Sequence, residues 1–166
     1  MQTEEIFPLV DEIGNVVGKA SRKECHSGSK LLHPVVHLQL FNSKGELYLQ
    51  KRSEKKDIQP GKWDTAVGGH IDYGESVEEA LMRESREELG IEGFIPELLF
   101  RYIFESEIER EMVNTYRTVF DGKICPDQDE IVKGRYWKIT EIENYLGKGI
   151  FTPNFENEFR MMKNIL

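Results

Sequence analysis

Apolar and polar positions change period several times along the chain. Residues 7–20 alternate around Gly14-Asn15 and read as two short strands. Ser21 followed by Glu24 matches a capping box and predicts a helical turn, after which His26 to Lys30 reads as loop. PVVHLQLF at 34–41 is apolar enough for a buried strand, Asn42 to Gly45 is a turn, and Glu46 to Arg52 alternates through Leu47 and Leu49. Pro60-Gly61 breaks the chain before a short stretch, Trp63 to Val67, that leads into Gly68-Gly69. The period then lengthens, and residues 76–89 read as a helix closed by Gly90. Strand-like segments return at 94–105, 112–121 and 131–138. Thr140 and Glu143 predict a capping box for a short helix to Leu146, and Thr152-Pro153 opens a last helix. No repeat or linker divides 1–166, so the pattern predicts one α+β domain with a mixed sheet in layers, not a regular βαβ array.

The helix at 76–89 breaks its own pattern. On a wheel of about 100° per residue with Val77 at zero, Leu81 falls near 40° and Ala80 near 300°. On that same wheel Glu84 lands near 340°, Glu88 near 20° and Glu87 near 280°, so three carboxylates continue the apolar stripe. An ordinary amphipathic helix puts Leu or Ile there. Clustered carboxylates repel and lose hydration, so something positive must offset them, and a divalent cation with a taste for oxygen does so. Arg83, four residues before Glu87, can hold that carboxylate. Gly68 and Gly69 let the backbone turn sharply and offer a carbonyl to a metal.

Charge and composition narrow the partner. The net charge is −8, with 39% hydrophobic residues. A protein that coats a nucleic acid polymer carries a basic excess instead. An acidic protein can still act on phosphates when cations bridge the two sets of negative charge. The acidic start MQTEEIFPLVDE lacks the pattern of a signal peptide, and no apolar run spans a membrane, so the expected location is the cytoplasm. Cys25 and Cys125 match no metal or redox spacing and read as reduced thiols. A monomer or a homodimer through an exposed sheet edge fits this pattern.

Gly68 to Ile91 resembles the Nudix box. That pattern is Gly, five residues, Glu, seven residues, Arg-Glu, an aliphatic, any residue, Glu-Glu, any residue, Gly, an aliphatic. It falls on Gly69, Glu75, Arg83, Glu84, Ser85, Glu87, Glu88, Gly90 and Ile91, and only Ser85 departs. The resemblance implies a mixed β-sheet sandwiched between α-helices. It also implies metal-assisted attack of water on a small-molecule diphosphate. By that likeness Glu84, Glu87 and Glu88 bind Mg2+, or Mn2+ in its place, with Arg83 beside them. One of the three, or a loop glutamate such as Glu130, orients or deprotonates the water.

From about residue 7 onward the chain also resembles the isopentenyl-diphosphate isomerase branch of that superfamily. The matching features are VDE near Val10, KRSEKK at 51–56, PGKW at 60–63, Gly69-His70 and Glu109-Arg-Glu111. This likeness implies a second divalent metal on His26, His33, His70, Glu109 and Glu111. It also implies that Arg52, Lys56 and Arg83 contact the diphosphate. Imidazole nitrogens in such a set suit zinc, manganese or iron. Two isomerase groups are missing. Gly68 stands where the isomerase places its cysteine, and Asn154 where it places a tryptophan after Ser/Thr-Pro. The expected activity is therefore hydrolysis, against the alternatives of alkene isomerisation and of a binding domain without turnover. Trp63 is a candidate to stack on substrate or to pack against the Nudix helix. Trp137 is expected in the core, and Tyr102, Phe104, Tyr116 and Phe120 as core or pocket wall. Glu75 is expected to tie the loop to the helix.

Overall fold

The computed structural model describes residues 4–56, 59–127 and 131–165. Strands β1 (Ile6–Val10) and β2 (Val16–Ser21) form an antiparallel hairpin, followed by the single helical turn α1 (Arg22–Cys25). The Ser21–Glu24 capping box forms as expected, with Glu24 N–H donating to Ser21 Oγ at 3.1 Å and Ser21 N–H to Glu24 Oε1 at 3.2 Å. Next come β3 (Leu32–Phe41), β4 (Leu47–Arg52), β5 (Trp63–Thr65), β6 (Val67–His70) and helix α2 (Val77–Leu89). Strands β7 (Glu97–Glu105), β8 (Arg110–Val119) and β9 (Ile131–Trp137) and helices α3 (Ile139–Tyr145) and α4 (Pro153–Lys163) complete the chain.

The large sheet is mixed. Its order is β5-β4-β3-β8-β7, with β3 and β8 parallel, β6 added to β3 and β9 to β4. One edge of β3 is shared: β6 pairs with its middle from Val35 to Leu38, and β4 with its end at Leu40 and Phe41. The two partners therefore part beside Gln39.

Alternation along β3 divides the core into two layers. Val36, Leu38 and Leu40 pack with Leu81, Leu89 and Ile91 under α2. Phe41, Leu47 and Leu49 pack with Phe151, Phe155 and Phe159 under α4. Each such fully buried side chain contributes about 1.5–3 kcal/mol relative to exposure. The expected sandwich of sheet between helices is thus present.

Three details differ from the sequence reading. Gly68 and Gly69 lie inside β6, and neither has a positive φ, so no sharp turn occurs there. The short helix starts earlier, with Glu141, not Glu143, accepting the N–H of its cap residue Lys138 at 2.9 Å. Trp63 packs away from α2, in the opposite layer, with its ring edge-on to Trp137 at 5.2 Å. Its place at the start of β5, beside β4 and the α3–α4 corner, fixes that direction.

Candidate active site

The glutamates of α2 reach the sheet where β6 runs beneath the helix. Ser76 caps the N-terminus by accepting from Glu79 N–H at 3.1 Å, and Gly90 closes the C-terminus at φ 64°. The residues of the apolar stripe, Ala80, Leu81 and Leu89, are buried. Glu84 lies half-buried over Gly69, so closely that a Cβ on that glycine would sit 2.3 Å from the carboxyl carbon. Gly69 is therefore required for space and not for turning. Glu88 accepts the N–H of Gly68 at 3.3 Å. Glu87 departs from the expected burial: its side chain is 57% exposed, at the rim of the stripe. Burial raises the Glu84 carboxyl above the ordinary range, against the pull of Arg83.

Arg83 holds this set in register. Its guanidinium grips Glu75 through two bonds of 2.8 and 3.0 Å, Glu84 at 2.9 Å and Glu87 at 3.4 Å, and the His70 carbonyl at 3.1 Å. The two-pronged bond to Glu75 lowers that carboxyl and ties the loop to the helix, as its place in the motif implied.

A second cluster lies across β6. Ligand atoms of His26, His33, His70 and Glu109 fall within 4.8 Å of one another. Glu111 joins them, its Oε2 3.9 Å from His33 Nε2 and 3.8 Å from His70 Nε2. His33 donates from Nδ1 to the Leu31 carbonyl at 2.9 Å, which leaves the Nε2 lone pair facing the cluster. Phe7 lies flat on His70 with ring centroids 4.5 Å apart, a backing no sequence motif announced. Among the described residues the buried Nε2 atoms of His33 and His70 have no hydrogen-bond partner, while His26 Nε2 lies 2.9 Å from Glu109 Oε2. Burial holds the three imidazoles below their ordinary range, His70 down to about 3. Burial together with Glu109 pushes Glu111 up to about 7. Neutral imidazoles whose nitrogens converge beside two carboxylates fit a borderline divalent cation.

The two clusters meet in one pocket of roughly 570 Å³. Glu84, Glu87, Glu88, Gly68 and Gly69 line one side, and His70 and Glu111 join it to the histidine cluster.

The NUDIX domain profile matches residues 31–155. The chain belongs to the Nudix family. An uncharacterised Nudix hydrolase of Streptomyces coelicolor is 31% identical over 153 residues, covering 91% of this chain and 84% of that relative. An isopentenyl-diphosphate Delta-isomerase of Citrobacter koseri is 42% identical over 136 residues, 78% of this chain and 75% of that relative. A crystal structure of a Deinococcus radiodurans protein superposes with a TM-score of 0.79 at 27% identity, covering 95% of this chain and 98% of that one.

Within this Nudix domain the remaining candidates separate. Arg52 and Lys56 line the pocket, with Arg52 Nη1 3.6 Å from Asp64 Oδ2. Trp63 is not among the residues described as lining it, because its indole is taken up by Trp137 and the α4 layer. Glu130 lies outside the described residues. Cys25 is buried and Cys125 exposed, and neither is described in the pocket wall. The sequence reading missed Asp64 and His37, both of which line the pocket. His37 had a legible signal: it shares the alternating face of β3 with His33, a polar position inside an apolar strand.

Proposed function

We propose that this Nudix domain is a magnesium-dependent hydrolase that cleaves the pyrophosphate bond of a small, polar organic diphosphate. The observation that carries this is the shared pocket, which Glu84, Glu87 and Glu88 line together with Arg52 and Lys56. When bound, divalent metal supplies charge neutralisation and activates water for attack on phosphorus. Glu84 and Glu88 would hold the ion, and Glu87, at the open rim, would complete the set. Arg52 and Lys56 bind phosphoryl oxygens across from them. Arg83 keeps Glu84 and Glu87 aligned through its anchor on Glu75.

The wall composition favours hydrolysis over alkene chemistry. Among the described lining residues Val35 is the one aliphatic side chain, and no phenylalanine, tyrosine or tryptophan is present. Such a wall offers little apolar surface to a prenyl chain and no aromatic face to a carbocation. The cluster of His26, His33, His70, Glu109 and Glu111 is read as the second site, for manganese, zinc or iron.

The test is release of phosphate or a nucleotide product from sugar nucleotides, nucleoside diphosphates, dinucleoside polyphosphates and prenyl diphosphates. Wild type and Glu88→Gln are compared with magnesium and with manganese. We expect turnover of a polar diphosphate, reduced on the order of 10²-fold or more in the variant with folding intact. Conversion of isopentenyl diphosphate to its dimethylallyl isomer at an enzymatic rate would overturn the reading.

A further inference from the structure

Glu158, on the buried face of α4, is a carboxylate with no solvent exposure inside the layer between helix and sheet. Four donors meet it from three strands. Gln39 Nε2 and Thr115 Oγ1 lie 3.1 Å from its Oε1, and Tyr102 Oη and His37 Nδ1 lie 2.5 Å from its Oε2. A buried carboxylate costs several kcal/mol unless it is fully paired, and apolar side chains of the same volume would hold α4 in place as well. Three of the four donors end inside the protein. The fourth belongs to a ring that continues to the pocket: His37 lines it, and its Cδ2 and Nε2 edge borders Gly68, 3.4 and 3.7 Å from where a Cβ there would stand.

Resting on the hydrolase reading, we propose that His37 is a substrate-binding residue that donates from Nε2 to a phosphoryl oxygen of the diphosphate, with Glu158 as its positioning residue. The arrangement explains each part. A carboxylate at Nδ1 fixes the ring plane and, as a buried negative charge, favours the imidazolium, which has N–H at both nitrogens. Gln39, Thr115 and Tyr102 fix the carboxylate. Gly68, lacking a side chain, leaves the Nε2 edge open between the glutamates of α2 and the histidine cluster.

The discriminating variant is His37→Asn. An asparagine amide reaches only as far as Nδ1, so it keeps the bond to Glu158 and removes the pocket-facing donor. His37→Gln reaches the Nε2 position and serves as partial rescue. Binding of methylenediphosphonate with magnesium is measured by calorimetry, which needs no turnover, and the His37 ring nitrogens are followed by 15N NMR. The expected result is a dissociation constant raised at least about tenfold in His37→Asn, on the scale of a hydrogen bond to a charged group, with part regained in His37→Gln. The Nε2 resonance of wild type shifts on addition of the diphosphonate, and Glu158→Gln alters the ring signals and weakens binding. Equal affinity in His37→Asn and wild type, or an Nε2 resonance that does not move, overturns the role of His37 and leaves the hydrolase reading standing. A wild-type protein that binds no diphosphonate overturns both.

Discussion

Replacing Gly69 with alanine tests whether the carboxylate above it is set to atomic precision. The new Cβ would stand 2.3 Å from the carboxyl carbon of Glu84 and 2.6 Å from its Cγ. Ordinary contact begins near 3.4 Å, so the carboxylate must retreat by about 1 Å, and a displacement of that size costs on the order of 10²-fold in rate. That is about 2.7 kcal/mol of lost transition-state stabilisation. The fold should hardly notice. Gly69 lies in β6 without a positive φ, so alanine fits its backbone and gains about 0.4–1 kcal/mol from a stiffer unfolded chain, offsetting the displaced side chain. Initial rates at saturating magnesium, paired with urea unfolding, read the two effects apart. Gly45→Ala is the counterpart: φ there is 77° with nothing within 4 Å, so stability should fall by about 1–2 kcal/mol with the rate unchanged. A Gly69→Ala protein within threefold of wild type in rate would refute the claim that Glu84 must sit where it does.

Two further outcomes follow from buried polar groups. Ser85 is fully buried on α2, its Oγ without a hydrogen-bond partner among the described residues, so Ser85→Ala should raise stability by about 1 kcal/mol in urea melts and leave activity alone. The His37–Glu158 pair predicts a pH dependence of the melting temperature. The imidazole is raised to about 9 from an unfolded value near 6.5, so its stabilisation is complete below about pH 6.5 and lost as pH rises through about 9. Glu158→Gln should flatten the decline between pH 7 and 9.5, and an unchanged slope would remove the pair as its cause.

The helix ends at Ser21, Gly90 and Thr152, the hairpins and the carboxylate stripe of α2 were legible because each is local: spacing of a few residues decides it, although the same spacing set the start of α3 two residues late. The stripe was legible for a further reason, since Glu84 and Glu88 contradict the apolar period around them. Glu87 was overread, because a wheel gives direction and not depth, and its direction lies where the helix leaves the sheet. The histidine cluster was legible only through family likeness. No periodicity joins His26, His33, His70 and Glu109, which the fold gathers from α1, β3, β6 and the approach to β8. Glu158 was not legible at all. It sits on a helix whose other buried residues include Phe155, Phe159 and Met162, and its partners lie 43 to 121 positions away in the chain. Trp63 was misplaced because a tryptophan beside a glycine-rich strand says nothing about which layer it enters.

β6 is only four residues long, yet consecutive side-chain positions on it serve different masters: Gly69 makes room for a carboxylate of α2, and His70 faces the imidazole cluster. A slip of one position against β3 would exchange those faces and put an imidazole under the helix and a bare glycine in the nest of ligands. The pairing of Val35 with His70 and of Val36 with Gly69 is thus a common zero point from which both side-chain clusters are measured. An insertion or deletion anywhere in this short segment would cost the domain both at a stroke.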